Sequence, residues 1–439
     1  MGREPAGASE LAASLQGKGY RMRNAADLDP LLDQVGDARY VLLGEASHGT
    51  AEFYTWRAAL SRRLILEKGF SFIAVEGDWP DCYRLNQFVQ GRPTSGGSAR
   101  EVLRAFERWP TWMWANEEVV VLAEWLRQHN KGRPAHRRVG FYGLDVYSLG
   151  DSLRRVADYL QQHRPSAQVA ARRAFGCFEP YGSSAEEYAR ATRWVDASCE
   201  DEVVALLTEV RRTASLPGTE REASFDAEQN ALVVKDAEHY YRTMVRGGPA
   251  AWNIRDHHMT ETLDRMMQHH GTGARALVWA HNTHIGDARF TDMVEGDMVN
   301  LGQLVRTQHG PDDVVLVGFG SYQGSVIAGR EWEAPLQRMP LPPARPGSWE
   351  DVCHQAFAQD TLLLLSRLEA TPVLNQRRGH RAVGVVYHPE AEIGNYVPTV
   401  LPRRYDAFLY LDTTQALHPL RDVPARSQAD VPETYPSGV

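Results

Sequence analysis

Cysteine is scarce in this chain: four among 439 residues, at Cys82, Cys177, Cys199 and Cys353, with no CxxC pair. That scarcity excludes a zinc ribbon or a disulfide-dense scaffold, and it predicts packed, reduced thiols in a cytoplasmic protein. No apolar run approaches the length of a membrane span. The first five residues carry acid and lack an apolar core, so no secretory signal is expected there. A basic face is also missing. Arginine far outnumbers lysine, yet the signs are interspersed and the net charge is -8, which argues against nucleic acid or an anionic membrane as partner. Neither GxSxG nor HExxH occurs, so an ordinary serine hydrolase and a zincin are both disfavoured. The glycine-rich run 318–324 misses dinucleotide-binding spacing by one residue and reads as a tight turn.

What is present is a set of short apolar runs at 40–44, 72–76, 139–144, 276–280, 314–318, 382–387 and 408–411. The first three alternate with helical patterns such as 54–67 and 119–129. That predicts an α/β fold with a mostly parallel central sheet flanked by helices. From 150 to 270 β-branched runs nearly vanish and long amphipathic stretches take over (223–246, 251–269), so a helical domain is expected to be inserted and to cover a cleft. The expected organisation is 1–149 as the first half of the core, 150–270 as the insertion, 271–424 as the second half and 425–439 as a disordered tail. Residues 335–346 are proline-rich and read as a surface loop.

Four of the runs end in polar chemistry. Val41-Leu42-Leu43 leads into Gly44-Glu45-Ala46-Ser47-His48, Phe72 to Val75 into Glu76, Val139 to Leu144 into Asp145, and Ala276 to Ala280 into His281 and His284. Strand carboxyl ends are where open α/β sheets place ligand crevices. Two like charges 4 Å apart repel by about 4 kcal/mol at an effective dielectric near 20, so clustered acids point to a shifted pKa or a bound cation. Two chemistries fit. A histidine steered by a glutamate can take a proton from water. Alternatively, His48, Glu76 and His284 could hold a divalent metal. Arg57 and Arg255 are candidate cations for a carboxylate or an oxyanion. Trp79, Tyr147 and Trp112 are candidate pocket walls, with core packing the default for Trp112 and its neighbours Trp109 and Trp114. The pair His257-His258 reads as helix surface.

The assembled motifs resemble the erythromycin esterase family, which also contains succinoglycan-biosynthesis-like proteins. The matching pieces are 44–50, Glu52 through Arg57, 75–78, 110–114, 143–145, 177–182, 253–256, 279–287, 384–387 and 405–408. The resemblance implies metal-independent opening of an ester or lactone such as a macrolide, an antibiotic-resistance activity in some members. It implies His48 as general base on water, Glu45, Arg57, Glu76 and His284 as further catalytic residues, and no cofactor. Asp145, Tyr147, Arg255, His281, Trp79 and Trp112 are expected on the substrate side. The segment Tyr387-His388-Pro389-Glu390-Ala391-Glu392 departs from the Tyr-x-Pro-x-Thr-Glu-Arg pattern of relatives. The partner expected is a small molecule, and the protein itself a monomer or homodimer. Two other readings stand beside hydrolysis: a dehydration, elimination or cyclisation on a natural-product intermediate, and ligand binding without turnover.

Overall fold

The computed structural model describes residues 7–92, 97–181, 185–193, 198–216 and 220–421. The expected tail at 425–439 lies outside them. Among the described residues eleven strands are present: β1 (Gly19–Arg21), β2 (Tyr40–Leu43), β3 (Phe72–Asp78), β4 (Gly140–Asp145), β5 (Ala276–Trp279), β6 (Val314–Ala328), β7 (Gln337–Leu341), β8 (Thr361–Leu364), β9 (Arg378–Arg381), β10 (Tyr396–Thr399) and β11 (Ala407–Thr414). Nine of them make one mixed sheet, and β9 and β10 pair separately. The α/β class is as expected from the alternation of apolar runs and helical periods.

The chain forms two compact units. The first comprises Met1–Ile73, Phe88–Gly140 and Ala274–Val439. Its parallel centre is β2 between β5 and β6, with β11 parallel to β6. The margins are antiparallel: β1 on β8, β8 on β11, and β7 on β6. Parallel pairing needs long crossovers, whereas β6 and β7 are separated by a short connection that permits only an antiparallel return. All four residues of β2 and β5 are buried, which is why they read as continuous apolar runs and not as alternating ones; β8 is equally buried and was not among the expected runs.

Three expectations fail in this unit. The run 382–387 is not a strand; it makes isolated bridges, from Val383 to Ser47 and from Val386 to Gly329. It is apolar because Val383 and Tyr387 pack into a cluster with Val326, Ala328, Met339 and Leu341. The run 318–324 is not a turn but the middle of β6. Its glycines answer to side chains across the sheet: a Cβ on Gly318 would lie 2.7 Å from the Tyr405 ring, and one on Gly320 2.5 Å from Phe408. The proline-rich stretch 335–346 supplies β7, with Pro340 opposite Ser325. That is a sheet position off the main path, where a missing N–H is tolerated.

The second unit comprises Ala74–Gln87 and Phe141–Gly273. It holds most of β3 and β4 and the helices Leu149–His163, Gln168–Phe178, Glu200–Ala214, Arg221–Met244 and Ala250–His270. Their apolar faces close one core containing Leu153, Val156, Leu206, Val210, Val234 and Tyr241. A disulfide joins Cys177 to Cys199, which corrects the expectation of four reduced thiols; Cys82 and Cys353 are buried free cysteines. The bond links the last turn of the helix Gln168–Phe178 to the N-cap of the helix Glu200–Ala214 across a separation of 22 residues. No sequence spacing rule announces such a pair. Closing a loop of that length is worth about 3 kcal/mol in the chain-entropy picture. Reduction, or Cys199→Ser, is therefore expected to lower the unfolding free energy of this unit by about that amount, read from urea melts with and without a phosphine reductant. His258 also departs from expectation: it is buried, and its Nδ1 lies 2.7 Å from Asp236 Oδ2. Burial would raise the Asp236 carboxyl, but hydrogen bonding and charge from His258 outweigh it and bring it down to about 2.

Candidate active site

Within the first unit, the loop after β2 leads directly into the helix Ala51–Lys68. Gly49 pairs through its carbonyl with Ile327 N and Leu417 N, and Ala46 accepts from Val383 N. These long-range backbone bonds fix the loop that carries Glu45 and His48. His48 Nδ1 lies 2.9 Å from Glu45 Oε1, and Arg57 Nη2 donates to Glu45 Oε2 at 2.6 Å. All three side chains are buried, Arg57 completely. The Arg57 guanidinium lies 4.3 Å from the centroid of Tyr54 and 4.7 Å from that of Trp279. Its Nε and Nη1 have no hydrogen-bond partner among the described residues, and the two aromatic faces flank the guanidinium. Tyr54 OH in turn donates to the His48 carbonyl at 3.1 Å.

The turn after β5 adds the other histidines. Trp279 ends the strand and donates through Nε1 to Ser61 on the Ala51–Lys68 helix at 3.0 Å. His281 caps a short helix, Asn282–Ile285, with its side chain accepting from Thr283 N. Its ring centroid is 4.9 Å from that of His48. His281 Nδ1 also lies 2.8 Å from Thr283 Oγ1. Accepting at Nδ1 assigns the proton to Nε2 in the neutral ring. His284 is buried in the same short helix, one turn from His281. His48 and His281, separated by more than two hundred positions, thus stand ring to ring.

An aspartate held by a bidentate arginine fork is at the heart of the second unit. Arg255 Nε donates to Asp145 Oδ1 at 2.9 Å, and its Nη2 to Asp145 Oδ2 at 2.7 Å and to Glu76 Oε1 at 2.8 Å. All three are buried. Tyr147 lies under the guanidinium at 4.7 Å. Burial would raise the Asp145 carboxyl, but the Arg255 charge and its hydrogen bonds win and hold it below the usual range. Burial likewise works against the Arg255 charge, and Asp145 reverses it, so Arg255 stays firmly protonated. Glu76 and Asp145 are therefore acceptors engaged by a fixed cation.

The tryptophans take core positions. Trp79 stacks with Tyr83 and Tyr142 and donates through Nε1 to Asp226 at 2.8 Å. Burial pushes the Asp226 carboxyl up to about 6 despite that bond. Trp112 is 1% exposed in a short 3-10 turn of the first unit. Sequence reasoning gave no role to Tyr54, Thr283 and Asn282, which touch the candidate residues, although all three lie within the matched pieces 52–57 and 279–287; Ser61, which holds Trp279, had no local signal. The departing loop after Tyr387 is held by Glu392, which accepts from Arg381 Nε at 2.7 Å, from Tyr396 OH at 3.1 Å and from Tyr387 OH. Among the described residues, no group of three or more His, Cys, Asp or Glu could hold a metal ion, and no helix is long and apolar enough to cross a membrane.

The erythromycin esterase family model matches residues 65–414. It thus spans Glu76, His281 and His284 and begins after His48. A curated relative, erythromycin esterase type II of Escherichia coli, is 24% identical over 323 residues, covering 70% of this chain and 74% of that protein. Among solved structures, a succinoglycan biosynthesis protein aligns at TM-score 0.74 with 22% identity, over 93% of this chain and 98% of its own. A Bacillus cereus protein aligns at TM-score 0.77 with 18% identity, over 94% and 100%. An erythromycin esterase mutant in its open conformation aligns at 0.68 with 18% identity, over 90% and 97%. At these identities the solved structures establish the fold. With most of its length matched by the family model, this chain belongs to the erythromycin esterase family.

Proposed function

We propose that the protein hydrolyses a carboxylic ester or lactone, a macrolide or other natural product, with His48 as general base on water. The observation that carries this reading is the buried chain Arg57–Glu45–His48 with the His281 ring beside it. Arg57 neutralises Glu45 and fixes it. Glu45 accepts from His48 Nδ1–H, which leaves Nε2 as a base. Water attacks the carbonyl carbon as its proton passes to His48 Nε2. The tetrahedral oxyanion then takes a hydrogen bond from His281 Nε2–H, with His284 in the same turn as the second candidate donor. Collapse breaks the C–O bond to the alkoxide, and His48 returns the proton to it. Because Arg57 is committed to Glu45 and enclosed by rings, it is assigned to holding the base, and the oxyanion role goes to the histidines. The family and its curated esterase relative support hydrolysis over the other readings.

The test is turnover of erythromycin and a panel of aryl esters in 18O-labelled water with a chelator present. Hydrolysis adds one water, and one labelled oxygen appears in the acid. A product lacking the label, or one lighter by a water, would replace hydrolysis with elimination or cyclisation. Stoichiometric binding with the ligand recovered intact would leave only a binding protein. Loss of turnover in chelator alone would overturn the metal-free mechanism.

A further inference from the structure

A second buried histidine–glutamate pair lies in the first unit, and the mechanism above does not use it. His380 and Glu350 are both fully buried, with His380 Nδ1 2.5 Å from Glu350 Oε1. Glu350 Oε1 also accepts from Arg381 N at 3.0 Å. The other edge of the ring meets Asn282: its Nδ2 lies 3.2 Å from His380 Nε2. Asn282 is the residue between His281 and Thr283, so the pair reaches the candidate site through one side chain.

The hydrogen-bond directions in this chain are determined one after another. Asn282 Oδ1 accepts from Phe319 N at 3.2 Å, and Asn282 Nδ2 donates to Phe319 O at 2.6 Å. The β6 backbone thereby decides which end of the amide is which. Nδ2 is then a donor toward His380, so Nε2 must accept. The ring must carry its proton on Nδ1, and Glu350 Oε1, which also accepts from Arg381 N, accepts it. The titration tendencies agree. Burial holds the His380 ring below its ordinary value, toward the neutral form. Burial would raise Glu350, but His380 and Arg381 prevail and keep it low.

Asn282 in turn clasps both halves of the candidate site. Its backbone N–H donates to the Glu45 carbonyl at 2.9 Å, and its carbonyl accepts from Arg404 Nη2 at 2.8 Å. A Cβ on Gly44, the residue before Glu45, would lie 2.0 Å from Asn282 Oδ1. The glycine in the Gly44-Glu45 motif is thus the space that this amide fills.

Resting on the hydrolase reading for its catalytic consequence, we propose that His380 and Glu350 are positioning residues that brace Asn282, whose amide β6 orients, and so help hold the His281–His284 turn against Glu45. The test compares His380→Asn with His380→Gln. Asparagine can reach only the place of Nδ1: it keeps a donor for Glu350 and abandons Asn282. Glutamine can reach the place of Nε2: it keeps an acceptor for Asn282 and abandons Glu350. Loss of one buried hydrogen bond predicts about a tenfold faster amide exchange at 281–286 in His380→Asn, against about twofold in His380→Gln. Aryl-ester kcat is expected to fall in the same order with little change in KM. A purely structural role for the pair predicts the reverse order, because stranding the Glu350 charge is then the larger injury. Equal exchange in the two variants, or the reverse order, overturns the proposal. If His380→Gln does not fold, the comparison is repeated in the Glu350→Gln background, where no charge is stranded. The exchange readout needs no substrate, so a wild-type protein inert toward the esters would sink the hydrolase reading without deciding this one.

Discussion

His48→Asn is expected to lower ester hydrolysis by about 10²–10⁴-fold, the usual contribution of a positioned general base. The substitution separates chemistry from packing. Asparagine Nδ2 can take the place of Nδ1–H toward Glu45, whose Oε1 now lies 2.9 Å from the ring. The buried carboxylate therefore keeps both His48-side and Arg57-side partners, and the fold is expected to survive, with a melting midpoint close to wild type. Nothing in asparagine reaches the place of Nε2, so the acceptor for the water proton is gone. Steady-state kinetics on the best substrate of the panel, alongside a thermal melt, read the two effects apart. Wild-type kcat in a folded His48→Asn protein would remove this residue from the mechanism.

Arg255→Leu is expected to cost about 3–5 kcal/mol of stability, the range for breaking a buried ion pair by deleting one partner. Arg255 is 6% exposed and satisfies Asp145 twice and Glu76 once. Without it two buried carboxylates remain together. The pH dependence should change sign. In the wild type the Asp145 carboxyl lies below its ordinary 3.8, mainly because the Arg255 charge outweighs burial. A depressed acid contributes stability that is present above the unfolded value and lost as pH falls through the folded one. In Arg255→Leu burial is no longer outweighed by the guanidinium and raises the Asp145 carboxyl, with only the Val146 N–H left to oppose it. The native state then binds protons more readily than the unfolded chain, so stability falls as pH rises from 5 to 8. Urea melts at the two pH values measure this. The double variant Arg255→Leu/Asp145→Leu should recover part of the loss, since one of the stranded charges is gone. An Arg255→Leu protein as stable as wild type at pH 8 would contradict the ion-pair account.

Much of the architecture was readable because apolar periodicity is local. Most of the buried strands announce themselves as unbroken apolar runs, β8 being missed, and each expected run became a strand except 382–387, which is apolar for a different reason, its packing against β6 and β7. Residues 318–324 were misjudged because glycine usually marks a turn, whereas here its absent side chain admits Tyr405 and Phe408. The disulfide escaped notice because a separation of 22 residues carries no signature.

Alone, the order of residues determined the α/β class, the polar strand ends and the candidate histidines and acids, since these follow from hydrophobicity and from where strands stop. Only the folded chain decided who partners whom. Arg57 neutralises a glutamate 12 positions away, Arg255 binds acids 110 and 179 positions away, and His380 meets an amide 98 positions away. Many carboxylates in the chain could satisfy a given arginine equally well. The choice falls to the path of the backbone and to burial, which makes an unpaired charge costly and so leaves one arrangement far below the rest.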